Sequence, residues 1–298
     1  MSNQRKRVLI TGANKGVGLA TVESVLKERE DTMVLLGSRS VKRGEDARRE
    51  IVAANPELSD RVEVLQLDVA DDQSLVGAVE WVKQRFEEER PLYGIVNNAG
   101  IGLGSAEMET VLDVNTRGPR RVCELFLPLL DQERGRVVNI SSASGPMFVS
   151  GCSPERRAMF TDPKVSWEEI EAVMEEALEV ARKGGDFQEV GLGEGSAYGL
   201  SKACLNAYTI ALARENPDLL INACTPGFIE TDLTRPMAEA RGIKPEEMGM
   251  KQPSEGTVAA MKLLFGEPGG SGWYFGSDGE RSPLDRYRSP GDPPYRGE

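Results

Sequence analysis

The sequence predicts an α/β fold: a doubly wound sheet of seven parallel strands, with a helical insertion late in the chain. Short apolar runs alternate with apolar stripes at three-and-four spacing, the pattern of repeated βα units. The first run opens into a glycine-rich turn ahead of a helix, which makes that unit Rossmann-type. The 298 residues suffice for one large domain with a full core, so residues 1–298 are read as a single unit.

The strands follow from short β-rich runs bounded by turn residues. They are Val8–Ile10, Met33–Leu36, Val62–Leu67, Gly94–Asn97, Arg136–Ile140, Leu219–Cys224 and Trp273–Phe275. Leu75, Val79, Val82 and Phe86 mark one intervening helix. Val122, Leu125, Phe126 and Leu129 mark another, read as Val111–Leu130. Residues 143–196 exceed what a minimal unit needs. Within them Ser166–Lys183 reads as an acidic helix, with Ser166 as N-cap and an apolar stripe of Trp167, Ile170, Val173, Met174, Ala177, Leu178 and Ala181 that must pack on the body. From Arg281 onward, Pro, Arg, Gly and Asp predict an irregular tail over residues 281–298. No internal repeat is present.

Composition narrows the chemistry. Histidine is absent, which excludes Ser-His-Asp and Cys-His catalysis and histidine-based metal sites. Cys123, Cys152, Cys204 and Cys224 are scattered without C-x-x-C spacing, so no metal is expected and the thiols read as reduced, as in a cytoplasmic protein. The formal net charge of −12 disfavours nucleic-acid partners and anionic membranes. No apolar run is long enough to span a bilayer, and Met1–Arg7 lacks the apolar core of a signal peptide.

Thr11-Gly12-Ala13-Asn14-Lys15-Gly16-Val17-Gly18 follows the first strand. Gly12 permits a tight turn, Gly16 lets backbone N–H groups approach a diphosphate, and Gly18 allows close helix–strand packing. The alternative is a glycine turn without a ligand. The second strand ends in Gly37-Ser38-Arg39, with no carboxylate for a ribose 2′-hydroxyl. Arg39, with Lys15 as a second cation, suits a 2′-phosphate, hence NADP(H) rather than NAD(H); the alternative is two ordinary solvated cations. Tyr198 and Lys202 stand four residues apart, on one face of a helix. An ammonium there favours phenolate and makes the phenol a better acid–base group, although the same spacing also suits a plain amphipathic face.

With Asn97-Asn98-Ala99-Gly100 and Ser141-Ser142 lying in order between them, these motifs resemble the short-chain dehydrogenase/reductase family over residues 7–278. The long segment before Tyr198 is most similar to the monomeric carbonyl reductases and their plant relatives, the menthone and salutaridine reductases. The resemblance implies a catalytic set of Asn115, Ser142, Tyr198 and Lys202, with Ser142 preferred because the family uses the second serine of such pairs. In that set Tyr198 donates a proton, Ser142 steadies the carbonyl oxygen, Lys202 orients the nicotinamide ribose, and Asn115 helps hold a water. By the same resemblance Asp68, with Val69, meets the adenine, and Asn97, Ala99 and Gly100 meet the ribose. Pro226 and Gly227 turn the chain so that Ile229 and Thr231 hold the carboxamide, while Asn14 and Val17 complete the glycine loop. On the residues alone Asp68 is equally a helix N-cap, the asparagines structural, and 226–231 only a turn. Phe228, Met147 and Phe148 are candidate walls for the substrate, or plain core. The implied activity is NADPH-dependent reduction of ketones, aldehydes or quinones. An alcohol or hydroxysteroid dehydrogenase working oxidatively, or a non-catalytic dinucleotide sensor, are the alternatives. The insertion implies a monomer whose small-molecule carbonyl substrate lies against it.

Overall fold

The computed structural model describes residues 5–102 and 107–297; the leader reading at Met1–Gln4 lies outside them. Its sheet has eight strands: β1 Lys6–Ile10, β2 Thr32–Ser38, β3 Val62–Gln66, β4 Gly94–Asn97, β5 Arg136–Ile140, β6 Leu220–Cys224, β7 Tyr274–Phe275 and β8 Arg281–Ser282. Their order in space is β3-β2-β1-β4-β5-β6-β7-β8. The first seven are parallel, as the sequence predicts, and β8 adds an antiparallel edge to β7. Strand ends differ from the sequence reading by one or two residues, where pairing rather than composition decides.

Both faces of the sheet are covered, as an all-parallel arrangement requires. Leu9, Ile95 and Val137 join the larger apolar core. Val8, Ile10, Val96 and Val138 join the second. Around these lie α1 Gly16–Glu28, α2 Val41–Ala54, α3 Asp72–Arg85, α4 Met108–Leu112, α5 Gly118–Phe126, α6 Ser144–Ser150, α7 Pro154–Thr161, α8 Trp167–Lys183, α9 Ala197–Glu215, α10 Arg235–Glu239 and α11 Val258–Phe265. The strand order reverses direction between β1 and β4, which opens a crevice at their carboxyl ends. The glycine turn and the Asn97–Gly100 segment both empty into it.

Three sequence readings need correction. The single helix 111–130 is broken into α4, a π-turn at Asp113–Arg117, α5 and a short 3₁₀ turn at Leu127–Leu129. Pro119 and Pro128, each at the start of a new segment, have no N–H to continue the preceding ladder. The tail is not wholly irregular. Beyond β8, the Arg288 guanidinium is 6% exposed and paired with Asp278, and its Nε donates to Ser282 Oγ at 2.9 Å. Arg281 stacks on Trp273 at 3.8 Å and faces Tyr295 at 5.4 Å. In α8 Ile170, Val173, Met174, Ala177 and Leu178 are buried, whereas Trp167 is half-buried and Ala181 is exposed, because the chain leaves the body one turn before Gly184 ends the helix at φ 63°.

The start of α8 is fixed by reciprocal capping. The Glu169 N–H donates to Ser166 Oγ at 3.2 Å, and the Ser166 N–H donates to Glu169 Oε2 at 2.8 Å. The helix then packs on α9 and α4, and its start reaches α5 through Trp167. Arg117 pairs with Glu171 at 2.5 Å and Glu175 at 2.6 Å. Trp167 meets Tyr208 edge-on at 5.6 Å and carries Arg120 over its ring at 4.2 Å.

Candidate active site

The floor of the crevice is built by the glycine turn. Gly12 and Gly16 have φ of +62° and +58°, a region that side-chain-bearing residues rarely adopt. A Cβ on Gly18 would lie 2.4 Å from Asn98 Nδ2, so the first turn of α1 tolerates only glycine there. Asn98 Nδ2 donates to the carbonyls of Thr11 at 2.9 Å and Gly12 at 3.1 Å. Thr11 Oγ1 accepts from the N–H groups of Asn98 and Ala99, each at 3.0 Å. Thr11 and Asn98 thus lock β4 to the turn. Sequence reasoning gave Thr11 no role, although it stands directly beside Gly12, and it offered a structural role for both asparagines.

Whether the turn suits a dinucleotide can be tested on α1 itself. The helix has no acidic residue in its first turn, and the Lys15 side chain at the N-cap makes no capping bond. Its orphan N–H groups and positive dipole end are therefore left for an anion. Asn14 and Val17 are half-buried along this edge. Ser38 Oγ donates to Asn14 Oδ1 at 3.4 Å, which sets the end of β2 against the turn. Arg39 follows, exposed, with no hydrogen bond or ion pair among the described residues. Lys15 points elsewhere: its Nζ lies 2.6 Å from Asp232 Oδ2.

The remaining cofactor candidates divide. Asp68 Oδ1 accepts from the Ala70 N–H at 3.0 Å and does not cap α3; Asp71 does, accepting from Gln73 and Ser74. Val69 is 5% exposed and packs under Gly118. The Asn97 side chain braces the sheet, donating to Asn139 Oδ1 at 2.9 Å and toward Cys123 Sγ at 3.4 Å. Past β6, Gly227 turns at φ +92°. Ile229 is buried, and Thr231 Oγ1 accepts from the Leu233 N–H at 3.2 Å. A Cβ on Gly16 would sit 3.3 Å from Thr231 Cγ2, so this loop, with Pro226 at its base, closes against the glycine turn.

Tyr198, Lys202, Ser142 and Asn115 are brought together at the carboxyl ends of β4 and β5. Tyr198 and Lys202 lie in the first two turns of α9, with the Lys202 Nζ 5.7 Å from the centre of the Tyr198 ring. Lys202 is 4% exposed and donates to the Ile140 carbonyl at 2.9 Å; burial brings its pKa down to about 8. The phenol departs from the sequence expectation, because its pKa is raised, not lowered. Burial penalises the phenolate more than its surroundings help it, and the Ser142 hydroxyl acts in the opposite direction. Ser142 Oγ donates to Ser144 Oγ at 3.3 Å and accepts from the Ser144 N–H at 3.2 Å. Ser141 Oγ turns the other way, donating to the Lys202 carbonyl at 3.4 Å.

Asn115 sits in the π-turn, fully buried. Its Oδ1 accepts from the Ile101 N–H at 2.9 Å, and its Nδ2 donates to the Ile101 carbonyl at 2.8 Å and to Ser201 Oγ at 3.0 Å. Gly100 separates Asn115 from Lys202: a Cβ there would lie 3.3 Å from Asn115 Oδ1 and 3.7 Å from Lys202 Nζ. Gly102, which sequence reasoning missed, carries φ +113° and backs the tyrosine ring, since a Cβ there would meet Tyr198 Cδ2 at 2.8 Å.

A cavity of about 730 Å³ adjoins this set. It is lined by Ser144, Met147, Phe148, Cys152, Glu194 and Gly199 among others, and so lies between α6 and the end of the insertion. Met147 is 57% exposed, and Phe148 rests edge-on against Phe160. Phe228 is 37% exposed and does not line this cavity.

Known proteins resemble this chain in sequence and fold. The profile of the family described as short chain dehydrogenase matches residues 6–154. The chain is similar to carbonyl reductase (NADPH) 1 of Homo sapiens, 32% identical over 91% of this chain and 95% of the human protein. Among solved structures it resembles menthone neomenthol reductase from Mentha piperita, with a TM-score of 0.74, 27% identity, and coverage of 92% of this chain and 99% of that one. It also resembles salutaridine reductase from Papaver somniferum, with a TM-score of 0.74, 26% identity, and coverage of 91% and 99%.

Proposed function

Since the chain belongs to the short-chain dehydrogenases, nicotinamide-dinucleotide oxidoreductases, we propose that it is an NADPH-dependent carbonyl reductase, converting ketones, aldehydes or quinones to alcohols. The observation that carries this reading is the convergence of Tyr198, Ser142, Lys202 and Asn115 beside the glycine turn. A bound dinucleotide supplies the hydride. Tyr198 supplies the proton: its raised pKa keeps the phenol protonated at neutral pH, the state a reductive step needs. Ser142 donates a hydrogen bond to the same carbonyl oxygen as negative charge develops there. Lys202, held by Ile140 below the tyrosine, orients the nicotinamide ribose, and Asn115 fixes Ile101 and Ser201 around it.

Arg39 supports NADP(H), because a guanidinium without a partner among the described residues stands where a carboxylate would favour NAD(H). The relative's printed name points the same way. The cavity beside Met147 and Phe148, which also carries Ser144, Ser153, Gln188 and Glu194, supports a bulky carbonyl compound of mixed polar and apolar character. The packing of α8 on α9 and α4 supports a monomer, since the insertion occupies helix faces that would otherwise be open to a second copy. Four free, buried cysteines suit a reducing compartment such as the cytoplasm. Among the described residues no helix is long and apolar enough to cross a membrane. The test is cofactor oxidation with a panel of ketones, aldehydes and quinones, run with NADPH and NADH. Turnover of several carbonyls with NADPH favoured is the expected result, and no turnover of any with either cofactor overturns the proposal.

A further inference from the structure

We propose that Asp232 moderates the NADPH preference of this chain by competing with the cofactor's 2′-phosphate for the Lys15 ammonium. The proposal rests on the NADP(H) reading above. Lys15 stands between Asn14, which touches Ser38 at the end of β2, and Gly16, which abuts Thr231. Its backbone is therefore placed between the Arg39 end of the crevice and the loop after β6. The side chain takes the second direction, to Asp232 Oδ2 at 2.6 Å.

Two features make this pairing exchangeable. Both side chains are more than half exposed, at 59% and 58%, so separating them uncovers little that water does not already reach. Asp232 also has a second partner: Arg235 Nη1 lies 3.0 Å from Oδ1, while Arg235 Nε reaches Glu230 Oε1 at 3.2 Å. When Lys15 leaves, the carboxylate stays ionised and paired. The lysine stem is flexible, and its ammonium is a point charge that accepts either anion. A 2′-phosphate beside Arg39 offers Lys15 more negative charge than a carboxylate already shared with Arg235. NADH offers nothing at that position. Breaking the Lys15–Asp232 pair is thus a cost that falls on NADPH alone, and its size is that of an exposed ion pair, about 1.5- to 5-fold in affinity.

The test is calorimetric measurement of Kd for NADPH and NADH on the whole protein. Asp232→Asn should tighten NADPH by about 1.5- to 5-fold and leave NADH unchanged. Lys15→Met should weaken NADPH, and in its background Asp232→Asn should have no effect. If Asp232→Asn weakens both cofactors equally, the pair instead closes over the portion they share, and the proposal fails. It fails also if neither Kd moves. Arg39→Ser, measured in parallel, separates the two levels. Loss of NADPH preference there with a silent Asp232→Asn overturns only the competition, whereas a wild-type protein that binds NADPH no more tightly than NADH overturns the NADP(H) reading itself.

Discussion

Replacing Lys202 with Met exchanges a buried ammonium for an apolar side chain of similar length, and the consequence for stability can be worked from the structure. Burial brings the Lys202 pKa from 10.5 to about 8. At 1.36 kcal/mol per pH unit, keeping the charge inside costs ~3 kcal/mol at pH 7. Against this, the lysine donates to the Ile140 carbonyl at 2.9 Å, and losing a donor to a buried carbonyl costs about 1–3 kcal/mol. Lys202→Met should therefore be inactive yet between neutral and ~2 kcal/mol more stable at pH 7. The pH dependence is the sharper readout. Below pH 8 the lysine is charged in both folded and unfolded chains. Between 8 and 10.5 the folded chain has released the proton while the unfolded chain still holds it, so wild-type stability rises with pH through this window. The Met variant has no such rise, and other titrations are common to both proteins. With roughly 2 °C per kcal/mol for a chain of this size, the variant-minus-wild-type Tm should fall by about 5 °C between pH 7 and pH 10. Differential scanning fluorimetry at matched pH measures it. A Tm difference constant to within about 1 °C across that range would refute the assignment of Lys202 as a buried titrating ammonium.

The other expectations are more direct. Tyr198→Phe keeps the ring against Gly102 but removes the proposed proton donor, so kcat should fall by at least ~10² while the NADPH Kd stays nearly constant. Turnover within about threefold of wild type would remove Tyr198 from the chemistry. Arg39→Asp should raise KM and Kd for NADPH far more than for NADH, through repulsion as well as lost hydrogen bonds; equal changes would show that Arg39 does not read the 2′-phosphate. Light scattering after size exclusion should return a mass near the chain's 32.5 kDa, and a stable species at two or four times that value would mean that α8 does not block self-assembly and would overturn the monomer reading.

The fold was legible because its signals are local. Each parallel strand is a short, mostly apolar run bounded by turn residues, and each needs only its own residues to be recognised. Gly12, Gly16 and Gly18 declare a backbone conformation that other residues resist. Ser166 and Glu169 declare the start of α8 within four residues. Three features were not legible, and each depends on contacts distant in sequence. β8 forms because the Arg288 guanidinium finds Asp278 and Ser282, which pins an otherwise irregular tail. Lys15 turns from Arg39 because Asp232, more than two hundred residues away in the chain, offers it a carboxylate. The π-turn at Asn115 exists because that side chain satisfies both backbone groups of Ile101, a segment no periodicity connects to it.

The Tyr198–Lys202 pair shows why spacing alone misleads about chemistry even where it finds the right residues. Four residues on a helix establish that an ammonium is near a phenol, and proximity alone predicts a lowered phenol pKa. Burial is not written in that spacing. It comes from Gly102 against the ring, Gly100 between Asn115 and Lys202, and α6 packed so closely on α9 that a Cβ on Gly145 would lie 3.0 Å from the Lys202 backbone. The same enclosure weakens both ions at once: it raises the phenol and draws the lysine down to about 8. The reversal changes the reading of direction. A phenol held protonated at neutral pH is ready to give its proton to a carbonyl oxygen, whereas oxidation of an alcohol needs the phenolate first. On the proposed reading, packing around α9 rather than the Tyr-Lys spacing therefore favours the protonated phenol that reduction uses. A pH–rate profile should show it: the oxidative rate should keep rising with pH well above neutrality as the phenolate forms, while the reductive rate is sustained at neutral pH. An oxidative optimum at or below pH 7 would contradict the buried, protonated tyrosine.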